Sequence, residues 1–400
     1  MQSTFHGLET ARRAMMTQQY ALHTVGQNIA NANTQGYTRQ RVNFAPTEPY
    51  PNVGRNAPRI PGQIGTGVQA GSVQRIRDQF LDIQFRNEFN KEGYWATKVV
   101  AFEKLEDVLN EPSNEGLKHQ IDEFWKAFQE LSTDPEDAGA RRIVRQRAVA
   151  VTETFHHLHD SLTTIHNDYK EEIEVTEKEI NRLFKELEDI NQKVREAEPH
   201  GYVTNDLYDK QDLILDKLSS MLNIQVKREE SSGDPSAAAE GAVTVILIDD
   251  SGKQMLGNDG EPIVLVDGTG QLSYKRLAIE FSEDESFVSR FTLVDEDENE
   301  LANIDLDTMP RGAMKGLIEA FGYGASIDDV KGILPDMFAE IDLLAETFAN
   351  QINEVHQIGF TLPDLNGNVE LGSEFFDLSK WVMELEHQKQ LASIKILKIA

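Results

Sequence analysis

A chain of 400 residues with a hydrophobic fraction of 39% has material for two or three domains and is too long for one compact unit. Its 39 basic against 68 acidic side chains leave a net charge of −29, which sets the bulk surface against nucleic acid and anionic lipid. Without a single cysteine, disulfide scaffolding and thiol chemistry are excluded, and no apolar run opens the chain as a secretory signal or reaches the roughly 20 residues of a membrane span.

The first predicted element is a helix carrying Leu8, Ala11, Met15, Gln18, Leu22, Val25 and Ile29 at alternating spacings of three and four. That seam wants a partner helix. The surrounding segment is basic: Glu9 and Glu48 are its only acids before Asp78, against Arg12, Arg13, Arg39, Arg41, Arg55, Arg59, Arg75 and Arg77. It reads either as an organelle presequence or as a piece that docks on an assembly or export apparatus and later packs against neighbouring subunits. The Asn/Gly turn and proline-rich continuation favour the second. That turn is Asn28-Ile29-Ala30-Asn31-Ala32-Asn33-Thr34-Gln35-Gly36-Tyr37, in which Asn31, Asn33 and Gly36 tolerate a left-handed backbone and so stop the helix. Asn28 and Asn31 share a face, where they either bond laterally to neighbouring subunits or serve only as helix-end residues. For the helix as a whole, the alternative is an ordinary amphipathic helix packed on its own domain.

Residues 36–72 read as an extended Pro/Gly-rich linker, in which Gly65-Thr66-Gly67 lacks the further glycine and lysine of a phosphate loop and makes a tight turn. Helical periodicity starts at Val73 and breaks at Glu111-Pro112-Ser113; a second helix covers Glu115 to Leu131, and a third begins near Asp137. The third carries the clearest heptad of the chain, Tyr169, Ile173, Thr176, Ile180, Leu183, Leu187, Ile190, Val194 and Ala197. Burying each large aliphatic is worth about 1.5 to 3 kcal/mol, so packing rather than propensity decides this region. A return helix follows from Asn205 to Leu222. Turn-separated apolar segments then predict strands at Val243–Ile248, Ile263–Val266, Leu277–Phe281 and Phe287–Val294, and helices resume at Arg311 and at Leu334. The predicted fold is mainly α with an inserted antiparallel β domain, an elongated multi-domain helical bundle or coiled coil. Its parts are an assembly helix (1–35), the linker (36–72), a discontinuous bundle (73–228 with 309–400) and the β insertion (229–308).

Two constellations invite chemistry. His156, His157, His159 and His166 lie on the third helix, but without a His-Glu-x-x-His arrangement or an obvious third ligand they read as surface and seam histidines. A metal-dependent hydrolase using this cluster is the alternative from a different class. The acidic run from Asp295 to Glu300 has Glu300 where a calcium loop needs glycine and Leu306 where it needs the bidentate glutamate, which leaves a solvated turn. No residue is assigned a catalytic role, and no cofactor or metal is expected.

The segment Leu22 to Tyr37, LHTVGQNIANANTQGY, resembles the signature of flagellar rod, hook and hook-associated proteins. Gly65-Thr66-Gly67-Val68, Arg75, Asp78-Gln79-Phe80-Leu81, Phe124, Leu131-Ser132, Arg141-Arg142, Ile190-Asn191, Asn205-Asp206-Leu207 with Asp209 and Asp212, and Asn353 with His356 and Gly359-Phe360 resemble the pattern of the hook-associated protein 1 family, the hook–filament junction proteins. The resemblance implies a non-enzymatic structural ring, self-associated between hook protein and hook-associated protein 3. It also implies export in unfolded form by the flagellar type III apparatus to an extracellular position, without membrane insertion or nucleic-acid binding. A hook or distal-rod protein is the nearest rival, disfavoured by the long heptad. In such proteins the N-terminal helix pairs with one at the C-terminus, and the family pattern beyond Phe376, a further bundle portion and a long heptad helix, is expected to be missing before Ala400.

Overall fold

The computed structural model describes residues 4–399 except 53, 56, 59–61, 110–112, 114–115, 271, 296–297, 362–368 and 379–397. Helix α1 spans Thr4–Ala30 and is followed by the strands β1 (Gln40–Pro46) and β2 (Val68–Arg75), which pair antiparallel with a register shift at Asn43/Phe44. Helices α2 (Gln79–Leu109), α3 (Leu117–Thr133), α4 (Ala138–Ala197) and α5 (Asn205–Met221) come next. Strands β3 (Ile224–Glu229), β4 (Ala242–Leu247), β5 (Val264–Asp267) and β6 (Ser273–Tyr274) form one antiparallel sheet in chain order. A second, three-stranded sheet contains β7 (Arg276–Phe281), β8 (Val288–Val294) and β9 (Glu300–Ile304), and helices α6 (Ala313–Phe321) and α7 (Ile333–Ile358) close the described bundle. The architecture is mainly α with antiparallel strands set between helices.

Residues divide into two compact units. One holds 1–89, 181–256 and 261–276, the other 90–180, 257–260 and 277–400, so the β-rich segment 229–308 contributes one sheet to each. Two local expectations change. Val73 to Arg75 belong to β2, not to a helix, because they pair with Gln40 to Val42, and α2 starts only at Gln79. Residues 36–72, read as a linker, supply β1 and most of β2. The predicted break at Glu111-Pro112 lies outside the described residues, as do Arg59 and the Glu296-Asp297 centre of the acidic run. What is described of that run closes the β8–β9 turn, where Asp295 accepts from the Asn299 backbone at 2.8 Å.

In the first unit Leu183, Leu187, Ile190 and Val194 of α4, Leu215 and Leu218 of α5 and all of β4 are buried. Asn191, also wholly buried, makes three bonds. Its Oδ1 accepts from the Val243 N–H at 3.0 Å and Gln211 Nε2 at 2.9 Å, and its Nδ2 donates to the Val243 carbonyl at 2.8 Å. In the second unit the core is aromatic: Phe124 packs on Phe128, Phe348, Phe375 and Phe376 at centroid distances of 4.8 to 6.3 Å.

His166 is buried in the same unit, stacked 4.1 Å from Phe321 with Nε2 3.0 Å from the Ser286 carbonyl. Burial pushes its pKa down to about 4, only partly opposed by that bond and by Asp284. In the unfolded chain the same ring titrates near its ordinary value of about 6.5, so between these values the folded state binds fewer protons. Stability is therefore full above pH 6.5 and falls as pH drops towards 4, by about 2 to 3 kcal/mol for this group. Denaturant unfolding at pH 7.5 and 4.5 should show that His166→Gln loses less stability across the interval than the parent by that amount.

Candidate assembly interface

Helix α1 has two stripes. At 3.6 residues per turn, the stripe of His6, Thr10, Arg13, Thr17, Ala21, Thr24 and Asn28 lies about 130° around the helix from the predicted seam. The polar stripe is the covered one, packed on β1 and β2. Thr17 Oγ1 donates to the Val68 carbonyl at 3.1 Å, Arg13 Nη1 to the Thr66 carbonyl at 3.3 Å, and His6 Nε2 lies 3.1 Å from the Gly65 carbonyl. Gly65-Thr66-Gly67 is thus a docking strip for α1. The apolar stripe is left in water: Leu8 is 67% exposed, Met15 64%, Leu22 69%, Val25 50% and Ile29 71%, and Ala11 and Gln18 are exposed too. The alternative of a helix packed on its own domain holds for the polar face alone. A hydrophobic stripe outside and a polar stripe inside is the reverse of what burial free energy selects in a finished monomer.

The turn after α1 is built by its asparagines. Asn28 Oδ1 accepts from Tyr37 Oη and from the Gln40 N–H, both at 2.9 Å, while Nδ2 donates to the Gln40 carbonyl at 2.8 Å. Asn31 Nδ2 donates to the Gln27 carbonyl at 3.0 Å, and its Oδ1 accepts from Thr34 Oγ1 at 3.1 Å. Asn28 holds the turn because the reversal after Ala30 brings the Tyr37 phenol and the Gln40 backbone to it, while Asn31 bonds back to Gln27 and on to the Thr34 hydroxyl. Ala32 and Asn33 stay exposed. Only Gly36 takes the left-handed backbone, at φ 81°, where a Cβ would stand 3.3 Å from Leu213; Asn31 and Asn33 do not. Removing the Asn28 amide orphans a phenol and two backbone groups, so Asn28→Ala should cost about 1 to 2 kcal/mol locally. Hydrogen exchange over residues 31–40 should quicken while α5 is unaffected.

The sequence missed the role of an ionic joint in the same unit. Arg75, at the end of β2, is buried, with Nη1 at 2.9 Å from Asp209 and 2.8 Å from Asp212, and Nη2 at 2.5 Å from Glu240. Asp212, its side chain 2% exposed, also meets Arg77 at 3.4 Å, Arg86 at 3.2 Å and Arg228 at 3.0 Å. Burial alone would raise the Asp212 carboxyl, but Arg228, Arg75, Arg77 and Arg86 outweigh it and hold it below the ordinary carboxylate value. The available signal was the segregation of charge, an arginine-rich opening segment facing an acidic remainder. Part of that basic charge is spent within the chain.

The histidines of α4 do not converge. His157 is exposed, His159 packs 5.2 Å from Phe338, and His166 faces Phe321. Among the described residues no group of three or more His, Asp or Glu side chains could hold a metal. No helix of the described residues is long and apolar enough to cross a membrane.

A family model described as flagella basal body rod protein matches residues 8–38, the stretch of α1 and its turn. A second model, the flagellar hook-associated protein FlgK helical domain, matches residues 102–376. The flagellar hook-associated protein 1 of Bacillus subtilis (strain 168) is 40% identical over 380 residues, 95% of this chain and 71% of that protein. With these matches, the chain belongs to the flagellar hook-associated protein 1 family. The Salmonella typhimurium protein of the same name is 27% identical over 214 residues, covering 53% of this chain and 37% of the relative. In fold, the chain resembles the flagellar hook junction protein FlgK of Burkholderia pseudomallei, with a TM-score of 0.51 at 19% identity over 73% of this chain and 46% of that one.

Proposed function

We propose that the chain is a structural, non-catalytic subunit of the bacterial flagellum that forms the junction between hook and filament. The observation that carries this reading is the inverted α1: a heptad-spaced apolar seam held in water by a helix whose other face is fixed to a hairpin. Such a seam gains burial only from a helix supplied elsewhere, and repeated around a ring it ties copies together. The partners that follow are other copies of the chain, hook protein, hook-associated protein 3 and, before assembly, the flagellar type III export apparatus. The site of action is extracellular. A hook or distal-rod position draws support from α1 alone, whereas the helical-domain match covers most of the remaining chain.

Deletion of the gene tests the reading. Cells should keep hooks and lose hook-attached filaments, releasing filament protein into the medium, and a plasmid copy should restore attachment. Filaments that remain attached in the deletion strain would overturn the junction assignment.

A further inference from the structure

The hairpin that carries α1 is held to the rest of its unit with very little apolar contact. Of the residues in β1 and β2, only Val42 and Arg75 are fully buried, at 8% and 9% exposure. The remaining ties are polar: the Thr38 N–H reaches Asp209 at 3.3 Å, and Asn205 Nδ2 donates to the Val73 carbonyl at 3.0 Å. Gly36 lies against Leu213. Arg75 is thus the principal anchor. Its guanidinium is aligned over the Tyr208 ring, 5.2 Å from the centroid, while its nitrogens divide among Asp209 and Asp212 of α5 and Glu240.

From this we infer that Arg75 is a positioning residue for assembly, the group that sets where the α1 seam points. The inference rests on the junction reading and adds the residue on which the seam's placement depends. A planar fork bonded to carboxylates from two directions fixes orientation as well as distance, which apolar packing at a single valine does not. Asp212 has Arg77, Arg86 and Arg228 besides, so α2, α5 and β3 stay joined when Arg75 is removed. Among the described residues, the hairpin and α1 then keep only the Thr38 and Asn205 hydrogen bonds, the Gly36 contact and Arg77 just beyond β2, while the remainder of the unit keeps its own hold. The anchor also spans a long stretch of chain: Arg75 meets Glu240 across 165 residues. In a chain delivered N-terminus first, α1 stays unaligned until α5 and Glu240 have followed it.

The test is hydrogen exchange on the full chain, comparing residues 4–46 with residues 183–221 in the parent, Arg75→Met, Arg75→Lys and the double variant Arg75→Met/Asp209→Asn. The double variant removes one charge of each sign and guards against misfolding caused by an unpaired carboxylate. In both methionine variants, exchange over 4–46 should rise about a hundredfold with 183–221 unchanged, and Arg75→Lys should fall between, since an ammonium lacks the fork. Equal acceleration over both regions would reduce Arg75 to a general fold element and overturn the inference. So would parental protection of 4–46 in the double variant. In the deletion strain, the methionine variants should be exported and fail to attach filaments. Normal attachment by a variant whose α1 is loosened would refute the positioning role and leave the junction reading intact, whereas an unaffected deletion strain would refute the junction reading alone.

Discussion

Replacing Leu22 and Ile29 together by glutamate should abolish filament attachment while leaving the isolated chain folded. Both side chains stand mostly in water, at 69% and 71% exposure, so neither contributes packing that the monomer loses. Glutamate is a good helix former, and surface changes of this kind fall within about 0.5 kcal/mol. In the assembly the balance reverses, because each large aliphatic buried against a partner helix is worth about 1.5 to 3 kcal/mol and a carboxylate left there pays desolvation as well. Two such losses per subunit amount to at least about a hundredfold in each contact. Thermal unfolding of the purified variant checks the first half, and counts of hook-attached filaments check the second. A variant that melts well below the parent, or one that still attaches filaments, would count against α1 as the assembly surface.

Asp212→Ala should be the most damaging single change in the first unit. Its carboxylate is the shared acceptor of Arg75, Arg77, Arg86 and Arg228, and removing it takes one carboxylate from each, leaving Arg75 with Asp209 and Glu240, Arg77 with Asp82 and Asp216, Arg86 with Asp216 and Arg228 with Glu240. Loss of one partner from a buried ion pair costs about 3 to 5 kcal/mol, and the carboxylates that stay beside each arginine put this site at the lower end. The pH dependence has a definite sign. Because the folded state holds this carboxyl below its unfolded value, the network contributes full stability above the ordinary carboxylate range, and that contribution disappears as pH falls through the depressed folded value. Denaturant titrations of parent and variant at neutral pH, and again in acid, should show the difference shrinking at the acid end.

The heptads were legible because periodicity reports burial. Tyr169 through Val194 alternate as predicted and line the interior, and the strands β4, β5, β7 and β8 follow their apolar runs, while the short polar β6 was not foreseen. The seam on α1 was equally plain in the sequence. What periodicity could not reveal was that the opposite, polar stripe is the one covered, since it is held by hydrogen bonds to backbone carbonyls of residues 65–68, which have no side-chain pattern to read. The β1–β2 pairing hid for a related reason: Val73 and Ile76 mimic the start of the following helix, and only pairing with a strand far back in the chain distinguishes the two states. Arg75, Asp209 and Asp212 stood out as family-like residues, yet composition says nothing of which arginine meets which acid across more than a hundred positions.

The amide of Asn191 has a mechanical corollary. Sliding α4 along β4 by even one tooth of their packing would strand the Val243 N–H and carbonyl and the Gln211 amide at once. Each stranded group costs about 1 to 3 kcal/mol, whereas greasy side chains slip past one another with smaller penalties. A pull directed down that helix therefore meets a shear pin: the interface either holds its alignment or gives way all together, with no gradual creep between.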